Sequence, residues 1–404
     1  MKKIASRIAA RGEELLDAGG RWVIPGLIDM HVHLREPGQE YKETVLTGSR
    51  AAVAGGFTAV ACMPNTDPPN DNPAVTRLIL RKAHEAGLAR VYPVGCITER
   101  QEGRRLAELG SLVEAGCLAV SDDGVPVMNA AVMRRAMEYS RLFGIPVIAH
   151  CEDRDLAAGG DMHEGEVSTR LGLRPIPAAA EEVMAARDII LSRTTGARLH
   201  LAHVSTRGTV ALLRAAKEEG LPVTAEVCPH HLVLTDEAVS GFDTFTKVNP
   251  PLRSRADVEA LRAALRDGVI DAIASDHAPH SPVEKDVEYT AAAFGLVGLE
   301  TTLSLVLRLV EEEVLPLERA IDAMTRAPAE ILGVEGGRVE VGRPADLTVI
   351  DPQEEWTVDP EDFFSKGRNT PFAGSKLKGR VTATVVGGRV VFRDGLPAES
   401  APSP

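Results

Sequence analysis

Short apolar runs alternate with amphipathic stretches along most of the chain. The apolar runs are Leu27–Leu34, Thr58–Pro64, Arg90–Ile97, Cys117–Asp123, Pro146–Glu152, Arg198–Ser205, Pro222–Pro229 and Asp271–Pro279. Most are rich in Val, Ile and Ala and apolar on both faces, the pattern of parallel strands covered by helices. Helical spacing fits the intervals, as in Asn129–Phe143 and Ala179–Thr194, with Gly144 and Gly196 at the stops. Eight such units predict an α/β fold, a (β/α)8 TIM-type barrel, over an open doubly wound sheet. No GxGxxG follows the first strand, which weakens a dinucleotide-binding reading.

The texture changes near Gly336. Arg343–Ile350 and Arg380–Phe392 alternate apolar and polar positions, and Gly387-Gly388 sits between Val385-Val386 and Arg389-Val390 as a hairpin turn. Arg21–Pro25, just before the first barrel strand, is expected to join this unit. The predicted organisation is a (β/α)8 barrel over 27–335 and a small β-sandwich domain built from the two chain ends, 1–26 and 336–404.

Composition narrows the partners. Lys+Arg 45 against Asp+Glu 58 gives a net charge of −13 over 404 residues, which disfavours a polyanion such as nucleic acid. No apolar run approaches a membrane span, and MKKIASRIAARGEELL has a basic start without an apolar core, unlike a secretory signal. Five cysteines, Cys62, Cys96, Cys117, Cys151 and Cys228, stand apart without a CxxC pair, so reduced thiols in a cytoplasmic protein are expected.

Chemistry in such barrels sits where the strands end. The polar residues there are His31 and His33, Asn65, Asp122 and Asp123, His150, His203 and Asp276. In His31-Val32-His33, alternation puts two imidazoles on one face, able to chelate one ion. HxH alone is weak. With His150, His203 and Asp276 each ending a separate strand, a divalent centre becomes the best reading, and Asp123 is the candidate carboxylate between two ions. Zinc suits such N/O donors, although Mn²⁺ or Co²⁺ would also fit. Asp122 reads instead as a cap for the helix beginning near Asn129. His84, His163 and His200 read as surface or packing residues, and His230-His231 as structural hydrogen bonders. Alternation turns His277 away from the site and leaves His280 on the following loop.

These motifs resemble a known family. Ile24-Pro25-Gly26-Leu27-Ile28-Asp29-Met30-His31-Val32-His33 is similar to the opening of the amidohydrolases. Leu34-Arg35-Glu36-Pro37-Gly38, Met63-Pro64-Asn65-Thr66, Asn249-Pro250-Pro251-Leu252-Arg253, Glu164–Pro177, Ser275–His280 and Lys366–Gly379 resemble the dihydroorotases among them. The resemblance implies Zn²⁺, two ions per chain, held by His31, His33, Asp123, His150, His203 and Asp276, with Asp276 also the proton shuttle. It implies a substrate-carboxylate site of Arg35, Asn65 and His280, and ring contacts from Asn249 and Ala293-Phe294-Gly295. The hydantoinases, dihydropyrimidinases and allantoinases carry a carboxylated lysine as the bridge. Cys117–Asn129 contains no lysine, so this chain resembles the branch with aspartate there.

The implied activity is reversible hydrolysis of the cyclic amide linking dihydroorotate and N-carbamoyl-L-aspartate, in pyrimidine biosynthesis. The expected partner is this small molecule, in a homo-oligomer. Association with aspartate transcarbamoylase stays open. Alternatives are another cyclic amidase, of allantoinase or hydantoinase type, or a non-catalytic scaffold for that transcarbamoylase. One departure is visible: Met1–Gly19 resembles only the tail of the family's N-terminal β segment, a difference expected to bear on stability more than chemistry.

Overall fold

The computed structural model describes residues 1–5 and 15–399; the N-terminal departure noted above falls partly in 6–14, outside the described residues. The strands are β1 (Trp22–Pro25), β2 (Leu27–Val32), β3 (Phe57–Cys62), β4 (Arg90–Gly95), β5 (Ala119–Ser121), β6 (Val147–Ala149), β7 (Met162–His163), β8 (Pro175–Ile176), β9 (Leu199–Leu201), β10 (Val223–Val227), β11 (Ala272–Ile273), β12 (Leu347–Thr357), β13 (Lys376–Val386), β14 (Arg389–Arg393) and β15 (Leu396–Pro397). Eight of them, in the order β11-β10-β9-β6-β5-β4-β3-β2, form a sheet whose pairings are all parallel. All eight runs expected from the hydrophobic pattern are present, each shorter than its apolar run.

The sheet closes on itself through a parallel bridge between Val32 and His277, reinforced by His33 N–H donating to the His277 carbonyl at 2.8 Å. This bridge brings the ends of the first and last barrel strands together. That step places His31 and His33 beside Asp276, residues far apart in the chain.

Helices cover the barrel and stop where local chemistry dictates. Ala130–Arg141 begins at Asn129, whose side chain accepts from the amides of Ala131 and Val132. Ala179–Thr195 ends at Gly196, in the left-handed region at φ 69°, where a Cβ would be strained. Strand residues such as Val60, Val120, Val147, Leu199 and Val227 pack with helix residues Met133, Met184, Leu213 and Leu261 in one large buried cluster. Small side chains, among them Ala59, Ala61, Ala119, Ala202 and Ala272, belong to a separate cluster with Ile28, Met30 and Ile148.

The chain ends meet in one five-stranded antiparallel sheet, β1-β12-β13-β14-β15. Trp22–Pro25 pairs with β12, as expected, and the β13–β14 turn lies at Gly387-Gly388, both with positive φ. The sheet lies on the barrel through hydrogen bonds from Thr348 Oγ1 to the Gly56 carbonyl (2.6 Å) and from Thr384 Oγ1 to the Val53 carbonyl (2.7 Å). Among the described residues, no helix is long and apolar enough to cross a membrane.

Candidate metal centre and substrate cavity

Six strand-end side chains converge on one point at the mouth of the barrel. Asp123 is at its middle. Its Oδ1 lies 3.4 Å from His31 Nε2, 3.4 Å from His203 Nε2 and 3.6 Å from His150 Nδ1, while Oδ2 lies 3.5 Å from His33 Nε2. Asp276 Oδ1 is 3.1 Å from His33 Nε2 and 3.6 Å from His31 Nε2. Two donor groups therefore share Asp123: His31 and His33 on one side, His150 and His203 on the other.

The imidazoles are aimed by partners behind them. Glu226 Oε1 takes the Nδ1 of His31 at 2.6 Å, Asn65 Oδ1 takes the Nδ1 of His33 at 2.8 Å, and Glu152 Oε2 takes the Nε2 of His150 at 3.2 Å. With one nitrogen committed outward as a donor, the other faces the centre with its lone pair, the usual arrangement around a ligated ion. Glu226 also meets His200 Nε2 at 3.2 Å, and His200 Nδ1 lies 2.8 Å from Thr224 Oγ1, so a buried polar ladder supports His31.

The field at the centre favours positive charge. Burial pushes the Asp123 carboxyl up, but His31, His203 and His33 outweigh it and hold it well below the usual range. The same contest, with His33 and His31 prevailing over burial, holds Asp276 low. Burial alone would lower His31, yet Asp123 and Glu226 raise it well above an ordinary imidazole. Burial is likewise overcome at Glu226, which falls to about 2 beside His31 and His200.

These residues fit a divalent ion. His31 Nε2 and Asp123 Oδ1 are fully buried without a hydrogen-bond partner, which is costly unless something else satisfies them. His150 Nδ1 and His203 Nε2 stand 2.9 Å apart. Ligand atoms on a tetrahedral ion with bonds of about 2.0–2.1 Å are roughly 3.3 Å from one another, and the donor pairs here stand 2.9 to 3.6 Å apart. Backbone conformation follows the site too: Arg35 (φ 60°), His203 (φ 34°) and Asp276 (φ 48°) are non-glycine residues in the left-handed region. Each such strain costs on the order of 1–3 kcal/mol and is typical of functional sites.

Above the centre opens a cavity of about 220 Å³, lined by His33, Arg35, Asn65, Asp123, Gly124, His150, His203, Asn249, Asp276, Ala278, His280, Phe294 and Gly295. A larger opening of about 420 Å³ lies between the barrel and the end sheet, but none of the six strand-end residues lines it. Arg35 is buried at 8% exposure, and its Nε donates to the Pro279 carbonyl at 3.3 Å. Among the described residues no carboxylate lies within 4.0 Å of its guanidinium, so the fork is open toward the cavity. His280 Nε2 bonds to the Phe294 carbonyl at 2.8 Å, and burial together with Arg35 and Lys42 lowers its pKa to about 3, so the ring is neutral. Asn249 Nδ2 donates to Glu152 Oε2, joining the cavity wall to the partner of His150.

Of the thirteen site residues expected from the sequence, eleven line the cavity, and His31 lies directly beneath it. Ala293 does not line it; its carbonyl accepts from Lys285 Nζ at 2.6 Å instead. Asp122 does not cap the following helix, which Asn129 caps. It accepts from the amides of Ile97 (2.8 Å) and Thr98 (3.1 Å), fastening the loop after β4, because its strand-end position faces that loop. His84 is exposed, while His163 and His200 are buried hydrogen bonders. His231 Nε2 bonds to the Pro250 carbonyl at 2.9 Å, and His277 is turned toward Glu43. Sequence reasoning missed Glu226 and Glu152. A carboxylate inside the apolar run Val223–Val227 was the available signal for the first, and nothing but contact marks the second.

Fold and site together define a hydrolase of the amidohydrolase type, with side chains that could hold divalent ions. The Amidohydrolase family model matches residues 22–391, and the chain belongs to that family. It is 58% identical over 396 residues to a protein named dihydroorotase from Anaeromyxobacter dehalogenans (strain 2CP-C), covering 97% of this chain and 92% of the relative. It is equally similar, 58% over 393 residues with 97% and 92% covered, to a protein of the same name from Pelotomaculum thermopropionicum. Among solved structures, the L-hydantoinase (dihydropyrimidinase) from Arthrobacter aurescens shares the fold with a TM-score of 0.86 at 26% identity, over 95% of this chain and 88% of that one.

Proposed function

We propose that this protein is a dihydroorotase, opening and closing the cyclic amide between dihydroorotate and N-carbamoyl-L-aspartate with two zinc ions. The observation that carries this reading is the open Arg35 guanidinium in the same small cavity as the six convergent donors. A plain cyclic amidase needs the donors; only a substrate bearing its own carboxylate needs the buried cation.

His31, His33, Asp123, His150, His203 and Asp276 would hold the ions. Bound zinc supplies Lewis acidity and lowers the pKa of water from 15.7 to about 7, giving a nucleophile near neutral pH. Asp276, ionised and on the cavity wall, accepts the proton released as water attacks the carbonyl carbon. It then returns that proton to the ring nitrogen as the C–N bond breaks. Arg35 grips the substrate carboxylate with paired N–H groups, which a lysine cannot reproduce. The Asn65 amide adds a hydrogen bond there, His280, whose one N–H is held by the Phe294 carbonyl, shapes the wall of the same pocket, and Asn249, Phe294 and Gly295 bound the ring. Ring opening creates a carboxylate and releases a proton near neutrality, so lower pH favours closure by mass action.

A hydantoinase-type activity is the competing reading, supported by the fold shared with the L-hydantoinase. Against it stands the bridging position, where Asp123 sits in a segment without lysine. The test is turnover of dihydroorotate, hydantoin and allantoin by purified protein, before and after chelation. Dihydroorotate should be preferred and chelation should abolish its cleavage. A zinc-loaded protein inert toward it, or one that turns over hydantoin faster, overturns the proposal.

A further inference from the structure

The cavity has two backbone walls from separate loops. Ala278–His280 forms one, and Phe294–Gly295 the other. They meet closely: a Cβ on Gly295 would stand 2.7 Å from Ala278 Cβ and 3.2 Å from His280 Nε2. One side chain from the far end of the chain bonds to both. Asn369 Oδ1 accepts from the His280 amide at 3.1 Å, and Nδ2 donates to the carbonyls of Ala278 (3.0 Å) and Gly295 (3.1 Å). Its own carbonyl accepts from the Val297 amide at 3.0 Å. Asn369 is 2% exposed, so each of these bonds is shielded from water.

The segment carrying it is inserted tightly. A Cβ on Gly367 would meet Val297 Cγ1 at 2.6 Å and Pro279 Cβ at 2.8 Å, so only glycine lets the backbone pass between the walls. Ser365 Oγ anchors the segment to Glu43 Oε2 at 2.5 Å. From the opposite side, Lys285 Nζ holds the Ala293 carbonyl, and the Gly295 amide donates to the Lys247 carbonyl at 2.8 Å. Phe294–Gly295 is thus held from two directions.

We infer that Asn369 is a positioning residue that sets the separation of the two walls, and through it the place of His280 against the substrate carboxylate. The inference rests on the proposed reading of this cavity. Asn369 does not line the cavity, so it acts only through what it holds. Asparagine is required because one side chain must accept from an amide and donate to two carbonyls. Aspartate has the same shape but offers acceptors only, setting a carboxylate against two carbonyl oxygens.

The test is Asn369→Asp in the zinc-loaded full chain, with dihydroorotate as substrate. A carboxylate contact is made in ground and transition states alike, so its loss enters KM. The expected result is a KM raised about tenfold, with kcat within about threefold and metal content unchanged, from the loss of two buried hydrogen bonds. Amide hydrogen exchange should quicken in 278–281 and 294–297 while Leu27–Val32 and Val223–Val227 stay protected. Unchanged KM and exchange overturn the inference, as does a loss shared equally by kcat, metal content and the barrel strands. If the aspartate variant does not fold, Asn369→Ser is read the same way; failure of both to fold assigns Asn369 to stability alone and also overturns it. If wild-type protein is inert toward dihydroorotate, the functional reading fails, and the exchange pattern still decides whether Asn369 orders the walls.

Discussion

Glu226→Gln is the most direct probe of how the metal centre is built. The carboxylate is completely buried and its two oxygens serve two rings, His31 Nδ1 at 2.6 Å and His200 Nε2 at 3.2 Å. Glutamine fills the same volume but keeps one acceptor and gains a donor, so it satisfies only one ring N–H. If the amide oxygen serves His31, the negative charge that makes its far nitrogen a strong donor is gone. If it serves His200, His31 is left facing an N–H and is pushed toward the tautomer whose Nε2 carries a proton and cannot ligate. Replacing such a supporting group typically weakens metal affinity 10–100-fold, about 1.4–2.7 kcal/mol at 1.36 kcal/mol per tenfold. The assay is a competitive chelator titration of wild type and variant, with circular dichroism to confirm the fold. Activity should return when zinc is supplied in excess, because Glu226 does not line the cavity. Affinity within twofold of wild type would refute the claim that Glu226 sets the ligating nitrogen of His31.

Three further outcomes are expected. Asp276→Ala should abolish turnover while retaining at least partial metal, since His31, His33, Asp123, His150 and His203 remain; near-normal turnover refutes the proton-carrying role. Arg35→Lys should raise KM for dihydroorotate roughly 10–100-fold with metal content unchanged, because a paired contact becomes a single one; equal loss of metal would mean that Arg35 serves the fold. Glu300 supplies a pH test: burial raises its carboxyl from 4.5 to about 7, despite bonds from the Phe364 amide (2.8 Å) and the Ser365 amide (3.3 Å). A raised folded-state pKa means its stabilising contribution is complete below 4.5 and is lost as pH climbs through 7. Thermal midpoints measured on either side of that window should therefore fall with rising pH in wild type, and less so in Glu300→Gln; parallel profiles would refute this.

Local pattern alone determined the repeating strand–helix architecture, because apolar runs of strand length between helical spacings have few other ways to bury both faces. It also determined that His31, His33, Asp123, His150, His203 and Asp276 occupy strand ends, since barrel strands stop where apolar residues give way to polar ones. Even the hairpin at Gly387-Gly388 was legible, because its turn is a property of adjacent residues. Only the tertiary structure decided what depends on contact between distant segments. The Val32–His277 closure sets Asp276 beside His33, and Glu226 and Glu152 turn otherwise ordinary imidazoles toward one point. Ala293 shows the same limit from the other direction: it belongs to a motif on the cavity wall yet faces Lys285, and Asn369 reaches that wall from the end of the chain. Periodicity reports which face of an element is buried, whereas these roles depend on which other element lies against it.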